Sequence, residues 1–382
     1  MSALLLAGES GYPLRPSTLV IVPAVAGLAA LLLCYLYSFL PMRWAPRIGL
    51  VDRPREDRHH DRPTPLGGGL AMLAALAIPC LGGGIILWVL DLQTSPNWLP
   101  YELFVRYDEL PPRTSIALLG CTALLAAVGL VDDLRRWKPL VKFIFQVVIA
   151  TGVVVLGEVR LLEMFGPAVS IPATVLWIVL ITNAVNFLDN VDGLAAGVVA
   201  ICAAALLAAA AAAGQLFVCV WLAMLVGISL GFLLHNFPPA KIFMGDAGSM
   251  PLGFLLAVLS ILTTYYRGEP SAGMVSLLAP LVALAVPLYD TASVITLRLS
   301  EGRSPFVGDT RHFSHRLLRR GMSPRRAVLT IYLATAATSM GAALLPHVRP
   351  AAAAVVFAQT AGIVGIIALL ETAGRQGTPN EE

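Results

Sequence analysis

The sequence predicts an all-α, polytopic integral membrane protein, and three observations support this fold class. Hydrophobic residues make up 57% of the 382 residues, and the mean hydropathy is +0.79. Charged residues make up only 13%, whereas soluble proteins carry about 25%. The apolar residues also fall into long runs, and a helix that crosses a bilayer needs about 20 of them. No polar stretch between the runs is large enough to bury a core of its own, so we expect one membrane domain over residues 1–382.

Eleven runs are long enough to be membrane-spanning helices, with the eighth short and the sixth and seventh tightly joined. They cover approximately residues 18–40, 67–90, 114–131, 140–157, 171–187, 194–213, 216–234, 250–264, 274–297, 327–345 and 351–370. The first run lacks a preceding basic segment and a cleavage site of small residues, so we expect it to be retained. All five cysteines lie inside apolar runs without Cys-x-x-Cys spacing, which favours packing roles over disulfides or zinc.

The distribution of basic residues predicts the orientation in the membrane. Successive loops must lie on opposite sides of the membrane, which divides them into two sets. Most of the 26 Lys and Arg residues fall in the set that includes the C-terminus. Basic loops are retained on the cytoplasmic side. We therefore expect the N-terminus outside and the C-terminus in the cytoplasm of a plasma (inner) membrane protein. The polar clusters described next all fall on that basic side, which predicts a shared cytoplasmic active-site cleft.

The first chemical cluster is a pair of acids at the end of the third span. Asp132 and Asp133 are followed by Lys142 at the start of the next helix, with Gln146 one turn further on the same face. Adjacent carboxylates repel each other unless a cation or a shared proton relieves the charge. Helix capping and solvation at the interface are the alternative, although capping needs only one acid.

A polar stripe enters the membrane at the end of the fifth span. Asn183, Asn186 and the pair Asp189-Asn190 recur at helical spacing, and Asp192 follows. Polar side chains at this depth must face protein or water. The asparagines are suited either to ligating a hard cation or to hydrogen bonds between helices, and the sequence leaves both open.

The run from Phe243 to Ser249 places Asp246 between Gly245 and Gly248, just before a span. Glycines allow close backbone approach and unusual dihedral angles. The start of the following helix is expected to offer free amide groups suited to an anion or phosphate. The acid within the turn favours a site for a metal and a phosphate over a simple turn.

The last cluster is the basic loop from Asp309 to Arg316, which contains Arg311, His312 and His315. Arginine and histidine donors suit a diphosphate, whereas the surrounding positive charge also suits anionic lipid head groups. Zinc is disfavoured because the histidines lack accompanying thiolates.

Taken in order, these strings resemble the polyprenyl-phosphate N-acetylhexosamine-1-phosphate transferases of glycosyltransferase family 4, which include the phospho-MurNAc-pentapeptide translocase. The resemblance covers nearly the whole chain. It rests on His60 to Gly68, the acid pair, Asn183 to Gly193, Phe243 to Ser249, and Gly302 to Phe306 with the loop through His315. The approach from Gly302 is more similar to the GlcNAc-1-phosphate branch than to the translocase.

The resemblance implies a reaction in which polyprenyl phosphate attacks the β-phosphorus of a UDP-sugar and releases UMP. This would be the first membrane step of a cell-envelope polysaccharide, such as lipopolysaccharide or cell wall polymers. It implies that Asn186 and Asp246 hold Mg²⁺, for which Mn²⁺ is a substitute. It also implies that Asp132, Asp133 and Lys142 are catalytic, the two acids orienting or deprotonating the lipid phosphate and Lys142 contacting phosphate.

The remaining residues carried over from the family bind substrate. They are Asn183, Asp189, Asp192, Arg311, His312 and His315. Among them, the arginine and histidines are expected to contact phosphates, and the two acids are expected to shape the site of the UDP-N-acetylhexosamine. The expected partners are this nucleotide sugar, the polyprenyl lipid and the membrane, with no nucleic acid. A homodimer is left open.

Two residues depart from the family's pattern. Asn190 stands where the family usually has glycine, and Ser314 stands where it usually has the first of two histidines. Because asparagine tolerates the left-handed backbone region, the first change is expected to be mild. The second removes one phosphate donor.

Three other functions compete with GlcNAc-1-phosphate transfer. One is activity like that of the pentapeptide translocase. Another is a family member that binds lipid phosphate or nucleotide without catalysis, which would require lost acid or metal positions, and all of these are filled. The third is a transporter, which should show inverted repeats and charges at mid-membrane depth. The sequence shows no repeat, and its acids cluster at one face.

Overall fold

The computed structural model describes residues 16–52, 63–92, 112–263, 278–304, 312–345 and 348–372. Within them the protein is almost entirely helical, which confirms the predicted all-α class. The helices are α1 Pro16–Trp44, α2 Gly68–Leu92, α3 Pro112–Arg135, α4 Pro139–Leu156, α5 Pro167–Leu188, α6 Leu194–Ala212, α7 Leu216–Asn236, α8 Asp246–Leu262, α9 Ala279–Ala283, α10 Ala285–Ser300, α11 Phe313–Arg319, α12 Pro324–Leu344 and α13 Pro350–Thr372. Two 3₁₀ turns, Ala45–Ile48 and Glu163–Phe165, lie in loops.

Eight of the described helices are long and apolar enough to cross a membrane. Two shorter apolar helices, Gly68–Gly83 and Asp246–Leu262, accompany them. Each of the eleven predicted spans overlaps helical structure, but the span predicted at 274–297 is divided between α9 and α10 at Leu284. The chain is therefore a multi-pass membrane protein, while the number of eleven crossings and their orientation stay predictions.

Glycines let α1 and α7 pack with their backbones in contact. A Cβ atom on Gly227 would lie 2.1 Å from the carbonyl oxygen of Gly27, and one on Gly231 would lie 2.4 Å from that of Leu31. Gly227 and Gly231 are four residues apart and share one face of α7. This spacing of small residues is the usual means of close helix packing in lipid.

Helix α8 lies at the centre of the bundle and packs against α2, α3, α5, α6 and α7. Every residue from Ala247 to Ser260 is buried, and a helix that is apolar on all sides is typical of such a position. A Cβ atom on Gly129 of α3 would lie 2.3 Å from the carbonyl oxygen of Asp246. The N-terminus of α8 is thus pressed directly against α3.

A short hairpin extends this packing at the same end of the bundle. Strand β1, Val51–Asp52, pairs antiparallel with β2, Thr64–Pro65. The amide of Phe243 donates to the carbonyl of Pro65 at 2.9 Å, and the amide of Gly68 donates to the carbonyl of Phe243 at 3.0 Å. The loop before α8 is therefore fixed by main-chain hydrogen bonds to the start of α2.

The cysteines behave as the sequence predicts. Each is a free thiol within a helix, and four of the five are buried. Cys34, Cys121, Cys202 and Cys219 belong to one hydrophobic core that extends from α1 to α13. Their role in packing is confirmed.

Candidate active site

A cleft of about 700 Å³ opens at the end of the bundle where α3, α5 and α7 end and α4, α6 and α8 begin. The predicted polar clusters meet there. The site residues predicted from the sequence that line it are Asp132, Asp133, Lys142, Asn186, Asp189, Asp192 and Asp246. Residues of the β1–β2 hairpin, including Asp52, also line it. One cleft therefore joins side chains from four separate stretches of the sequence.

Lys142 bridges two of the carboxylates. Its Nζ atom lies 2.6 Å from Oδ2 of Asp246 and 3.0 Å from Oδ2 of Asp132. The other oxygen of Asp132 accepts a hydrogen bond from the backbone amide of Trp137 at 2.7 Å. Since the three charged side chains are mostly buried, charge-assisted hydrogen bonds hold them in a fixed arrangement. The position between the two acids is thus one that accepts a cation.

Asp133 faces a different partner from its neighbour. Its two carboxylate oxygens accept hydrogen bonds from the backbone amides of Asp246 at 2.9 Å and Ala247 at 3.2 Å. These are the first two amides of α8, so Asp133 caps that helix from α3 and places a negative charge at the positive end of its dipole. The capping alternative therefore applies to Asp133.

This cap corrects one expectation from the sequence. We expected free amide groups at the start of α8, available to an anion or phosphate. In the structure Asp133 occupies the first two, and the amides of Gly248 and Ser249 donate to the carbonyl of Gly245. The expectation was wrong because a buried side chain of the protein already satisfies the helix end.

Gly245 permits the cap. Its φ is +65°, a region that favours glycine, and a Cβ atom there would lie 2.4 Å from Oδ2 of Asp133. The sequence interpretation of this glycine, close approach with an unusual dihedral angle, is confirmed.

Asn186 lies beside Asp246 at the end of α5. Its amide nitrogen donates to Oδ1 of Asp246 at 2.9 Å and to Oγ of Ser249 at 2.8 Å. The Ser249 hydroxyl donates in turn to the carbonyl of Gly245 at 3.0 Å. Both oxygens of Asp246 are therefore engaged, one with Asn186 and the other with Lys142.

Asn183, one turn deeper in α5, does not line the cleft. Its amide nitrogen donates to Oε1 of Gln146 at 2.6 Å and to the carbonyl of Val179 at 2.8 Å. Of the two alternatives that the sequence left open, the hydrogen bond between helices describes this residue. Its predicted role in substrate binding stays a prediction.

The turn after α5 carries Asp189 and Asp192 along the cleft. Oδ2 of Asp192 accepts a hydrogen bond from the amide of Ala240 at 2.8 Å. The adjacent amide of Gly193 donates to Oδ1 of Asn236 at 2.9 Å. Asp192 therefore fixes the loop that leads into α8 while it lines the cleft.

The reason given for a mild effect of Asn190, its tolerance of the left-handed backbone region, does not apply in the structure. Positive φ values of residues other than glycine occur, within the described ranges, only at Arg136, Glu158 and Leu162. Position 190 therefore does not use the left-handed region, and the tolerance of asparagine for that region does not explain this substitution.

The two histidines lie next to the cleft without lining it. His312 is buried, and its Nδ1 atom lies 2.8 Å from Oδ2 of Asp290. Oδ1 of Asp290 accepts the backbone amide of Phe313 at 2.6 Å. His315 is also buried in α11, and Arg311 lies outside the described residues. The expected phosphate contacts of these residues stay predictions.

Two functional candidates were missed in the sequence. Asp290, only 1% exposed, orients the imidazole of His312 from α10. Glu371, near the end of α13, lies 3.1 Å from Nη1 of Arg316 in α11 and accepts the Tyr289 hydroxyl at 2.9 Å. A carboxylate inside an apolar stretch is itself a signal of function. Asp290 lies in such a stretch, so this signal could have identified it from the sequence.

Comparisons with known proteins identify the family of the chain. The description "Glycosyl transferase family 4" belongs to the family model that matches residues 115–264. A probable undecaprenyl-phosphate N-acetylglucosaminyl 1-phosphate transferase of Bacillus subtilis is 33% identical over 81% of the chain and 81% of its own length. The decaprenyl-phosphate N-acetylglucosaminephosphotransferase of Mycobacterium tuberculosis is 34% identical over 94% and 90%. An undecaprenyl-phosphate alpha-N-acetylglucosaminyl 1-phosphate transferase of Escherichia coli is 28% identical over 79% and 78%.

Proposed function

Because the chain belongs to glycosyl transferase family 4, we propose that it transfers GlcNAc-1-phosphate from UDP-GlcNAc to a polyprenyl phosphate. The products are a polyprenyl diphospho-GlcNAc and UMP. The chain is a multi-pass membrane protein, which suits a lipid substrate that stays in the bilayer. Relatives named for this activity cover most of the chain, and the cleft supplies the chemistry.

The observation that carries the proposal is the bridge formed by Lys142 between Asp132 and Asp246, at 3.0 and 2.6 Å. Transfer between two anionic substrates needs positive charge and fixed positions more than a covalent catalyst. The bridge joins α4 to α3 and α8, so these groups are held in place before substrates bind. Such fixed positions lower the barrier because less ordering is needed during the reaction.

The chemistry is a direct displacement. An oxygen of the lipid phosphate forms a bond to the β-phosphorus of UDP-GlcNAc, and the bond from that phosphorus to the bridging oxygen breaks. The electron pair leaves with the phosphate of UMP. Asp132 orients the lipid phosphate or takes its last proton, and Lys142 contacts the phosphates. Asp189 and Asp192 shape the side of the cleft that receives the nucleotide sugar.

Mg²⁺ is the proposed cofactor, held by Asn186 and Asp246. Carboxylate and amide oxygens are the hard donors that this cation prefers, and it needs only one or two carboxylates from the protein. The donors suit a cation because Asp246 already binds a positive charge, the ammonium group of Lys142, through Oδ2. Asn186 points its amide nitrogen at Asp246, so ligation would use the other end of the same amide. When bound, Mg²⁺ would neutralise negative charge on the diphosphate.

We propose further that the cleft opens to the cytoplasm of a plasma membrane protein. The support is the excess of basic residues in the loops on that side of the sequence. Nucleotide sugars would then reach the cleft from the cytoplasm, and the lipid phosphate from the adjoining leaflet.

The test is an assay of UMP release by purified protein with polyprenyl phosphate, Mg²⁺ and a panel of UDP-sugars. We expect release with UDP-GlcNAc that depends on the lipid. Asp246→Asn and Asn186→Ala should lose most activity and raise the Mg²⁺ requirement of what remains, because each removes a cation ligand. Ser170→Ala is the matched control, since Ser170 is buried at the opposite end of α5.

Three results would count against the proposal. Release with UDP-MurNAc-pentapeptide but not UDP-GlcNAc would assign the translocase activity. Lipid and nucleotide binding without UMP would indicate a non-catalytic member of the family. If Asp246→Asn and Asn186→Ala both stayed active with the wild-type Mg²⁺ dependence, the cation would not be held by Asn186 and Asp246.

A further inference from the structure

A partly buried hydrogen bond joins the turn that follows α5 to α11. The Ser314 hydroxyl donates to Oδ1 of Asn190 at 2.7 Å. Ser314 is 1% exposed, whereas Asn190 lies on the wall of the cleft. The contact therefore connects a cleft residue to the helix that carries His315.

The orientation of the Asn190 amide is determined by a second partner. Its Nδ2 atom donates to the carbonyl of Phe187 at 2.6 Å. A carbonyl can only accept, so the amide nitrogen must face Phe187 and the amide oxygen must face Ser314. Asn190 thus satisfies a carbonyl at the end of α5 with one atom and binds α11 with the other.

The start of α11 has a second anchor, which comes from α10. Asp290 of α10 holds His312 at 2.8 Å and the backbone amide of Phe313 at 2.6 Å. One end of α11 is therefore held by α10 and by the turn after α5 together. Leu318, one turn beyond His315 on α11, forms part of the cleft wall. The bond between Asn190 and Ser314 links this wall directly to the turn.

We propose that Asn190 and Ser314 act as a pair of positioning residues for the nucleotide-sugar side of the cleft. The pair holds the turn that carries Asp189 and Asp192 at a fixed distance from α11. This inference rests on the proposed function, which assigns those acids to the nucleotide sugar.

The pair should affect one substrate more than the other. Asp132, which faces the lipid phosphate in the proposed reaction, belongs to α3, and its hydrogen bonds go to Trp137 and Lys142, not to either member of the pair. Loss of one hydrogen bond in the turn should therefore raise the KM for UDP-GlcNAc. The KM for polyprenyl phosphate should stay within about twofold of the wild-type value, and the expected rise for UDP-GlcNAc is about threefold to tenfold.

The experiment compares Ser314→Ala, Asn190→Ala, the double variant and Ser314→Thr, with Ser170→Ala as a control for loss of a buried serine hydroxyl. We expect Ser314→Ala to raise the KM for UDP-GlcNAc, and Ser314→Thr, which keeps the hydroxyl, to return it towards the wild-type value. The double variant should be no worse than Asn190→Ala alone, because the bond between the pair is already lost in that variant.

The pair would be rejected if Ser314→Ala left the KM for UDP-GlcNAc unchanged, if both substrates lost affinity equally, or if the effects of the two alanine variants multiplied. Thermal unfolding of the same variants keeps this test separate from that of the proposed function. If the wild-type protein released no UMP, the function would fail. Non-additive shifts in Tm would still support the contact, and additive shifts would overturn it.

Discussion

Replacement of Asp133 separates a role in structure from a role in acid-base chemistry. Its carboxylate accepts the amides of Asp246 and Ala247 at 2.9 and 3.2 Å. Asp133→Ala leaves both amides buried without an acceptor and removes a charge from the positive end of α8. Hydrogen bonds to charged groups contribute about 1.5–3 kcal/mol each, and loss of a helix cap costs about 0.5–2 kcal/mol. We therefore expect Asp133→Ala to destabilise the protein by about 2–5 kcal/mol.

Asp133→Asn is the more informative variant. Its amide oxygen can accept one of the two backbone amides, but its NH₂ group faces the other donor, so a loss of about 1–2 kcal/mol is expected. Thermal unfolding in detergent should show a decrease in Tm of at least about 2 °C. UMP release should fall in the same variant because α8 carries Asp246 at its first position.

Asp132→Asn is the matched control, since Asp132 is the adjacent acid and has no bond to α8 backbone among its described contacts. We expect it to lose activity with a smaller change in Tm. A wild-type Tm in Asp133→Asn combined with a loss of activity of more than about 1,000-fold would refute the cap. It would support instead the general-base role predicted from the family, for which such a loss is usual.

Three further predictions follow from the packing and the orientation. Gly231→Ala should lower Tm by the equivalent of about 1–3 kcal/mol because its Cβ atom would lie 2.4 Å from a carbonyl of α1. Gly120→Ala is the control and should leave Tm unchanged, because a Cβ atom there meets open space. Equal Tm values for the two variants would contradict the close helix contact. Glu371→Gln should lower Tm by the equivalent of about 3 kcal/mol because it breaks a buried ion pair to α11. A wild-type Tm would show that the pair contributes nothing. In a background without the native cysteines, an impermeant thiol reagent on intact cells should label Glu163→Cys but not Glu301→Cys, and the reverse pattern would invert the topology.

The helices and the meeting of the acidic clusters could be predicted from the sequence. Apolar runs of about 20 residues set the helix positions. The end of one span and the start of the next lie on the same side of the membrane, and so do the ends of every second span. One face of the bundle therefore had to receive Asp132, Lys142, Asn186 and Asp246. Which of them touch could not be predicted from this rule, but their common location could.

The roles of adjacent residues could not be separated in the same way. Asp132 and Asp133 are identical in type, yet successive residues on a helix point about 100° apart. One carboxylate therefore faces Lys142 and the other faces the start of α8. The outcome depends on the rotation of α3 against its neighbours, which packing of whole helices determines. The expectation of free amides at α8 failed for the same reason.

The depth of a side chain in the bundle and its contacts with distant residues could not be predicted from the sequence either. Asn183 and Asn186 are separated by about 4.5 Å along the helix axis, enough to place one beside Gln146 and the other in the cleft. The bond between Asn190 and Ser314 joins positions 124 residues apart. Each of these two residues, taken alone in the sequence, reads as a departure from the family, and only the fold shows them as partners.

The most direct test of the central claim is a rapid-quench measurement with UDP-GlcNAc labelled in the β-phosphate and protein stripped of lipid. The claim is that the cleft holds lipid phosphate and nucleotide sugar together for direct transfer. We expect no UMP until polyprenyl phosphate is added, after which label should appear in the lipid as UMP is released. A stoichiometric burst of UMP without lipid, with label retained on the denatured protein, would contradict direct attack and indicate a carboxylate nucleophile.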